Sequence, residues 1–308
     1  MDDTTAEQEG VSNALGRGQD PSPYSRVESD GLRHYYFPTV DFGTGVYMQT
    51  STDLNTVLSV PSNEYKIYTY DEDVGTEAPG FLVWDSGTYV MYLSSVGSQG
   101  NAALRVLLNT GDDLLKGWTD LGEMHDNNGN LLLNYDGWAF VHPNGKRYIM
   151  YSSLYSIQIA ELKNYTTIGS KIITIASGAP GQVVEAPGTF ISGNTLNFFW
   201  SENTYFLPTY NTINRAVSVH SDPLDPNTWA FASNVTILAS SSEAGVYGTG
   251  SAAFFAGVNG EPWLAYTVFY NPQGFNTSTN PRRVQAQPLT LVNDVIQPMI
   301  PDTPTVNV

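Results

Sequence analysis

Five times along the chain, a tight turn of Gly with Asp, Asn or Ser opens into a short run rich in Tyr, Val, Phe and Trp. The runs are residues 30–37 (DGLRHYYF), 84–95 (WDSGTYVMYLSS), 144–153 (NGKRYIMYSS), 193–202 (GNTLNFFWSE) and 259–268 (NGEPWLAYTV). A turn of this kind followed by aromatic, alternating positions predicts a β-hairpin. Successive turns lie about 50–65 residues apart, close to the length of one four-stranded propeller blade. Helical periodicity is thin. Its best stretch, Ala102 to Leu115, reads equally well as a strand (RVLLNT) followed by a loop, and 18 Pro and 28 Gly divide the rest into short segments. The pattern therefore predicts an all-β fold, a single five-bladed β-propeller over residues 1–308, with 1–18 a loosely ordered N-terminal segment. The alternating tail from Arg282 to Leu291 (RRVQAQPLTL) is read as the last strand, closing the ring. A large sandwich is the alternative architecture that such hairpins allow.

About ten residues ahead of each turn glycine a small-residue motif recurs. The five are Asp20-Pro21-Ser22, Glu77-Ala78-Pro79-Gly80, Asp136-Gly137-Trp138, Glu185-Ala186-Pro187-Gly188 and Gly248-Thr249-Gly250-Ser251. Four of the five begin with a carboxylate, in what reads as one register. If the hairpins are equivalent, each motif starts the innermost strand of a blade, and all five meet at one mouth of the central channel. Taken singly, Asp-Pro and Asp-Gly are ordinary turn dipeptides. Glu is a poor turn former, and recurrence in four blades favours a functional reading. Crowded carboxylates raise one another's pKa. A pair in unlike environments supplies an acid and a base at one pH, which is what hydrolysis of a glycosidic bond requires.

Charge narrows the partners. Thirteen Lys and Arg stand against 30 Asp and Glu, a net charge of −17. That surface disfavours nucleic acid and anionic membranes and leaves a neutral oligo- or polysaccharide unopposed. With no cysteine, disulfides and thiolate metal sites are excluded, and no apolar run is long enough to span a bilayer. No Gly-rich phosphate loop opens a helix. The N-terminus has neither a basic n-region nor an apolar h-region. Low Lys with abundant Tyr, Ser, Thr and Asn suits a secreted enzyme whose signal peptide is absent from this chain. Sequons at Asn164, Asn234 and Asn276 would make it a glycoprotein, although a chain rich in Asn, Ser and Thr produces a few by chance. His34, His125, His142 and His220 show no metal-ligating spacing, and His142 is read as a mid-strand structural residue of the third blade.

In motif order and spacing, from about Asp20 to the tail, the chain resembles glycoside hydrolase family 43, five-bladed propellers that remove arabinose, xylose or galactose from plant polysaccharides. The resemblance implies roles for the motif residues. The first-blade Asp-Pro makes Asp20 the general base. The third-blade Asp makes Asp136 the residue that tunes and orients the acid. The fourth-blade Glu-Ala-Pro makes Glu185 the general acid, with inversion at the anomeric carbon. The paired Arg282 and Arg283 resemble the closing strand, where an Arg contacts the sugar. Two positions depart from the pattern. Glu77 stands where the second blade usually has Trp, with Gly80 in place of an acid, so Glu77 is a fourth acid and a substrate-binding candidate. Ser251 takes the place of a channel His and is a further substrate-binding candidate. No cofactor is therefore expected, and a structural calcium is compatible with the family but not indicated.

Aromatic faces stack on sugars, and Trp138, two residues beyond Asp136 on the same side of a strand, is the first stacking candidate, with blade packing as its alternative role. Tyr205, Phe206 and Tyr247 fall in loops near the fourth and fifth motifs and could line a subsite. The expected function is an inverting α-L-arabinofuranosidase, a monomer acting on arabinan or arabinoxylan. The alternatives are a β-xylosidase, endo-arabinanase or β-galactosidase of the same family, a non-catalytic sugar-binding propeller, or a retaining enzyme acting on fructosides.

Overall fold

The five turn glycines, Gly31, Gly87, Gly145, Gly193 and Gly260, all have positive φ, the backbone that a tight connection between antiparallel strands asks of glycine. Each joins the first and second strands of a sheet in the computed structural model, which describes residues 20–41, 45–58, 63–69, 75–96, 102–274, 276 and 280–303. The expectation for residues 1–18 lies outside the described residues.

Blade one contains β1 (Tyr24–Val27), β2 (Arg33–Asp41), β3 (Gly45–Ser51) and β4 (Glu64–Tyr68). Blade two contains β5 (Gly75–Asp85), β6 (Thr88–Val96), β7 (Ala102–Asn109) and β8 (Thr119–Glu123). Blade three contains β9 (Tyr135–Val141), β10 (Arg147–Ser152), β11 (Ser156–Leu162) and β12 (Ile168–Ser177). Blade four contains β13 (Val184–Ser192), β14 (Thr195–Glu202), β15 (Asn211–Ser218) and, after the short helix α1 (Pro226–Ala230), β16 (Val235–Leu238). Blade five contains β17 (Tyr247–Ala256), β18 (Pro262–Phe269) and β19 (Arg283–Pro288). All pairing within blades is antiparallel. Around the ring β2 packs on β5, β5 on β9, β9 on β13, β13 on β17 and β17 on β1. This is a five-bladed β-propeller, and the ambiguous stretch from Ala102 is the strand β7 followed by a loop.

The apolar core is divided into five clusters, one between each pair of neighbouring blades. A blade buries both faces, so its second strand is apolar almost throughout instead of alternating as the sequence pattern suggested. In β14, Phe198 and Trp200 face blade three while Phe199, between them, faces blade five. Burying such a side chain completely stabilises the fold by about 1.5–3 kcal/mol.

Two expectations about where elements end are corrected. The tail does not close the ring as a strand. Its segment β19 remains the third strand of blade five, and the hairpin of β20 (Leu291–Val292) and β21 (Val295–Ile296) docks on blade four, where Asn197 Nδ2 donates to Asp294 O at 2.8 Å and Ile296 N donates to Asn197 Oδ1 at 3.0 Å. Blades one and five instead meet through side chains. Tyr35 and Phe37 pack on Phe255 and Trp263, Ser25 Oγ donates to Ala256 O at 2.6 Å, and Arg33 Nε donates to Val258 O at 3.3 Å. His142 lies one residue beyond β9, in the turn, where its Nδ1 accepts from Asn144 N at 3.2 Å. The hairpin requires a turn residue there, not a strand residue.

Candidate active site

Four of the five blades begin with the same irregularity. Between Glu77 and Gly80, between Tyr135 and Trp138, between Glu185 and Gly188, and between Gly250 and Ala253, the first strand advances by three residues while its partner advances by two. The extra residue is a β-bulge, which bends the strand and re-aims its side chains. At its centre Ala78, Asp136, Ala186 and Ser251 have φ of 46°, 54°, 51° and 45°, and Asp20 at the head of blade one has 51°. Left-handed backbone costs an ordinary L-residue roughly 1–2 kcal/mol, so the ring holds these five residues against a local preference. The acids therefore occupy two adjacent registers, and not the single register expected from sequence. Asp136 sits on the bulge and Asp20 has the same left-handed backbone ahead of β1, whereas Glu77 and Glu185 immediately precede the left-handed residue of their blades.

Hydroxyls on second strands tie one blade's bulge to the next. Asp136 N donates to Ser94 Oγ at 2.7 Å, Ser152 Oγ donates to Val184 O at 2.7 Å, and Ser251 N donates to Ser201 Oγ at 2.8 Å. Between blades five and one a guanidinium does this work. Arg282 Nη2 donates to Thr267 Oγ1, Ser251 Oγ and the Asp20 carboxylate, each at 3.0 Å. The Arg282 side chain is 4% exposed and that of Asp20 is 20% exposed, so this ion pair lies on the wall of the channel with its carboxylate toward solvent. A small open cavity is lined by all five motifs, including Asp20, Ala78, Asp136, Ala186 and Ser251, while Glu77 and Glu185 lie just outside its lining.

The electrostatics separate the acids. Burial raises the Glu185 carboxyl to about 7, with the charges of Asp20 and Glu77 adding to the rise and the Tyr210 hydroxyl and Arg282 opposing it. Burial and then the charge of Glu185 push Asp136 well above the usual carboxylate range. The two titrate as a pair. Both members have donors for an ionised form: Asp136 Oδ2 accepts from Ala186 N at 3.0 Å and Oδ1 from Ser94 Oγ at 3.5 Å, while Tyr210 and Arg282 act on Glu185. Glu77 is raised by burial and by Asp20, with Arg282 opposing.

The structure brings Asp20, Glu77, Asp136, Glu185, Ser251 and Arg282 into one interacting cluster. Trp138 lines the cavity, but its indole Nε1 donates to Thr189 Oγ1 at 3.2 Å and its ring packs against the core between blades three and four. Tyr205 lies over the Arg282 guanidinium, 5.3 Å from ring centroid to Cζ, with Phe206 edge-on to it. Arg283 turns to the other face of β19, where its charge acts on Tyr270. Tyr247 is not a loop residue. It opens β17 opposite Phe269.

Sequence reasoning missed Tyr210. It is fully buried at the end of the loop between β14 and β15, its hydroxyl 2.9 Å from Ser251 Oγ. Nothing local marks it among 19 tyrosines. As for a metal, the fifth-blade position is Ser251, whose Oγ is engaged by Tyr210 and Arg282. A buried guanidinium at that point sets like charge against a cation, so these residues do not fit a metal there. Among the described residues no three His, Asp or Glu side chains gather as a metal site.

The family model described as Glycosyl hydrolases family 43 matches residues 13–295. Among solved structures, the alpha-L-arabinofuranosidase from Lactobacillus brevis superposes with a TM-score of 0.79 at 18% identity, over 95% of this chain and 97% of that one. A thermostable family-43 glycoside hydrolase gives 0.73 at 16% identity, over 97% and 100%. The xylan beta-1,4-xylosidase from Bacillus halodurans C-125 gives 0.66 at 16% identity, over 93% of this chain and 55% of that one. At such identities the likeness is one of fold. No curated protein matches the chain.

Proposed function

Because the chain belongs to glycosyl hydrolases family 43, we propose that it is an inverting α-L-arabinofuranosidase acting on arabinan or arabinoxylan, with Glu185 as general acid and Asp20 as general base. One observation carries the assignment. At the same channel mouth, Glu185 is raised by burial to about 7 and so holds a proton near neutral pH, while Asp20 is ion-paired to Arg282 and partly open to solvent. Unlike environments for two carboxyl groups divide them into donor and acceptor of protons.

In this mechanism Asp20 takes a proton from a water as its oxygen attacks the anomeric carbon. Glu185 gives its proton to the departing glycosidic oxygen, and the products leave with inverted configuration. Inversion needs a base-to-acid gap of roughly 6.5–9.5 Å, room for that water, and residues from the non-adjacent blades one and four suit it. Asp136 accepts from the backbone of the acid's own bulge at Ala186 N, so it both orients that segment and opposes loss of the Glu185 proton. The arabinose specificity is supported by a likeness in fold to an arabinofuranosidase over nearly the full length of both chains.

The test is release of nitrophenol from the α-L-arabinofuranoside, with the β-D-xyloside alongside and arabinan as polymer, and NMR of the first anomer formed. The expected result is arabinose released with inversion. Binding of arabinan with no sugar released would sink catalysis in favour of a sugar-binding propeller, and a retained anomer would sink the assigned roles.

A further inference from the structure

Blade five carries no acid in its motif, yet it lies between the two blades whose residues are assigned to catalysis. Its bulge residue Ser251 is buried, with its Oγ 2.9 Å from Tyr210 Oη and 3.0 Å from Arg282 Nη2. The same Nη2 reaches Asp20 Oδ1 at 3.0 Å. At the other end the Tyr210 hydroxyl lies close enough to the Glu185 carboxyl to stabilise its ionised form as a donor. Room for that tyrosine is made by Gly250, where a Cβ would collide with the Tyr210 ring. Hydrogen bonds thus link Tyr210, Ser251, Arg282 and Asp20, and Tyr210 brings Glu185 of blade four to this series through blade five to blade one.

Its direction follows from the state of Glu185. A guanidinium only donates, and an ionised carboxylate only accepts. When Glu185 is ionised, therefore, the phenol hydrogen goes to it, Tyr210 Oη accepts the Ser251 hydrogen, and Ser251 Oγ accepts from Arg282. We propose, on the reading that Glu185 is the proton donor, that Tyr210 and Ser251 are positioning residues, which hold the acid and hand it a hydrogen bond as its proton leaves for the glycosidic oxygen. The developing Glu185 carboxylate is then stabilised by a donor set oriented in advance by Arg282.

The variants are Tyr210→Phe, which keeps the packing against Gly250, and Ser251→Ala, tolerable because Ala78 and Ala186 occupy the same left-handed position in other blades. Each is assayed on two aryl arabinofuranosides, one with a poor leaving group that needs protonation and one with a good leaving group that does not. Both variants are expected to lose kcat about tenfold on the poor leaving group, a fraction of the roughly hundredfold or more that a well-placed general acid supplies. KM and the rate on the good leaving group are expected to change less than about twofold, since that step asks little of the acid. In Tyr210→Phe the alkaline limb of the rate moves to higher pH, because a donor to the carboxylate is gone. The groups facing Glu185 that also shape that limb, Asp20, Glu77, Asp136, Tyr135 and Arg282, are intact in both variants. The double variant loses no more than the worse single one, as for members of one chain. Losses equal on both leaving groups, losses that multiply, or full activity in both single variants would overturn the proposal. A wild-type protein inactive on every glycoside would instead overturn the glycosidase reading on which it rests.

Discussion

Glu185 and Asp136 form one titrating unit in the half-buried wall of the site. As pH rises through about 7 the Glu185 proton is lost, so hydrolysis of substrates with poor leaving groups should fall above neutrality. Asp136→Asn removes the adjacent negative charge, and Asn adopts left-handed backbone as readily as Asp. The alkaline limb is expected to move to lower pH with the thermal midpoint little changed, as a pH–rate profile and a melting curve would show. The same shift has a stability counterpart. A carboxyl whose pKa is higher folded than unfolded favours the folded state below its unfolded value, and that contribution is lost as pH rises toward the folded one. With the folded value about 7 against an ordinary 4.5, Glu185→Gln should match the wild type in urea unfolding at pH 4. At pH 8 it should be more stable by on the order of 3 kcal/mol. An inactive variant that is also more stable at high pH separates a catalytic residue from a structural one.

The bulge that begins four of the innermost strands places these side chains and brings neighbouring strands close together. A Cβ on Gly80 would meet the Gly137 carbonyl oxygen across the boundary between blades two and three. Gly80→Ala must push the two backbones apart and is expected to destabilise by about 1–3 kcal/mol, visible as a lowered thermal midpoint. The inner hairpins were legible in the sequence because a turn glycine followed by an aromatic run is a local signal. The bulge was not, since one inserted residue leaves the composition of its motif unchanged, and Asp20 and Glu185 consequently read as equivalent when they are offset by one. Arg282 was legible from the paired arginines, but only the period of two in β19 tells it from Arg283. Tyr210 could not be found locally, because blade packing carries it across from a loop to Ser251. The tail read as ring-closing because its alternation is that of any strand, and alternation does not name a partner.

The ring has one boundary unlike the others. Blade five has three described strands, and its contact with blade one rests on the cluster around Phe255 and on isolated side-chain bonds, with β1 only four residues long. Phe255→Ala, which removes the ring edge-on to Tyr35 and Phe37, should cost about 3–5 kcal/mol. Amide exchange should then quicken first in β1 and β17, and uniform quickening around all five blades would show that this boundary is no weaker than the rest. The five left-handed positions carry a further consequence for how such a protein changes over time. The backbone is bent in the same way whether the residue there is Asp, Ala or Ser. A lineage can therefore silence or arm a blade by a single codon change without rebuilding the scaffold, and descendants that have lost activity should still inherit the complete propeller.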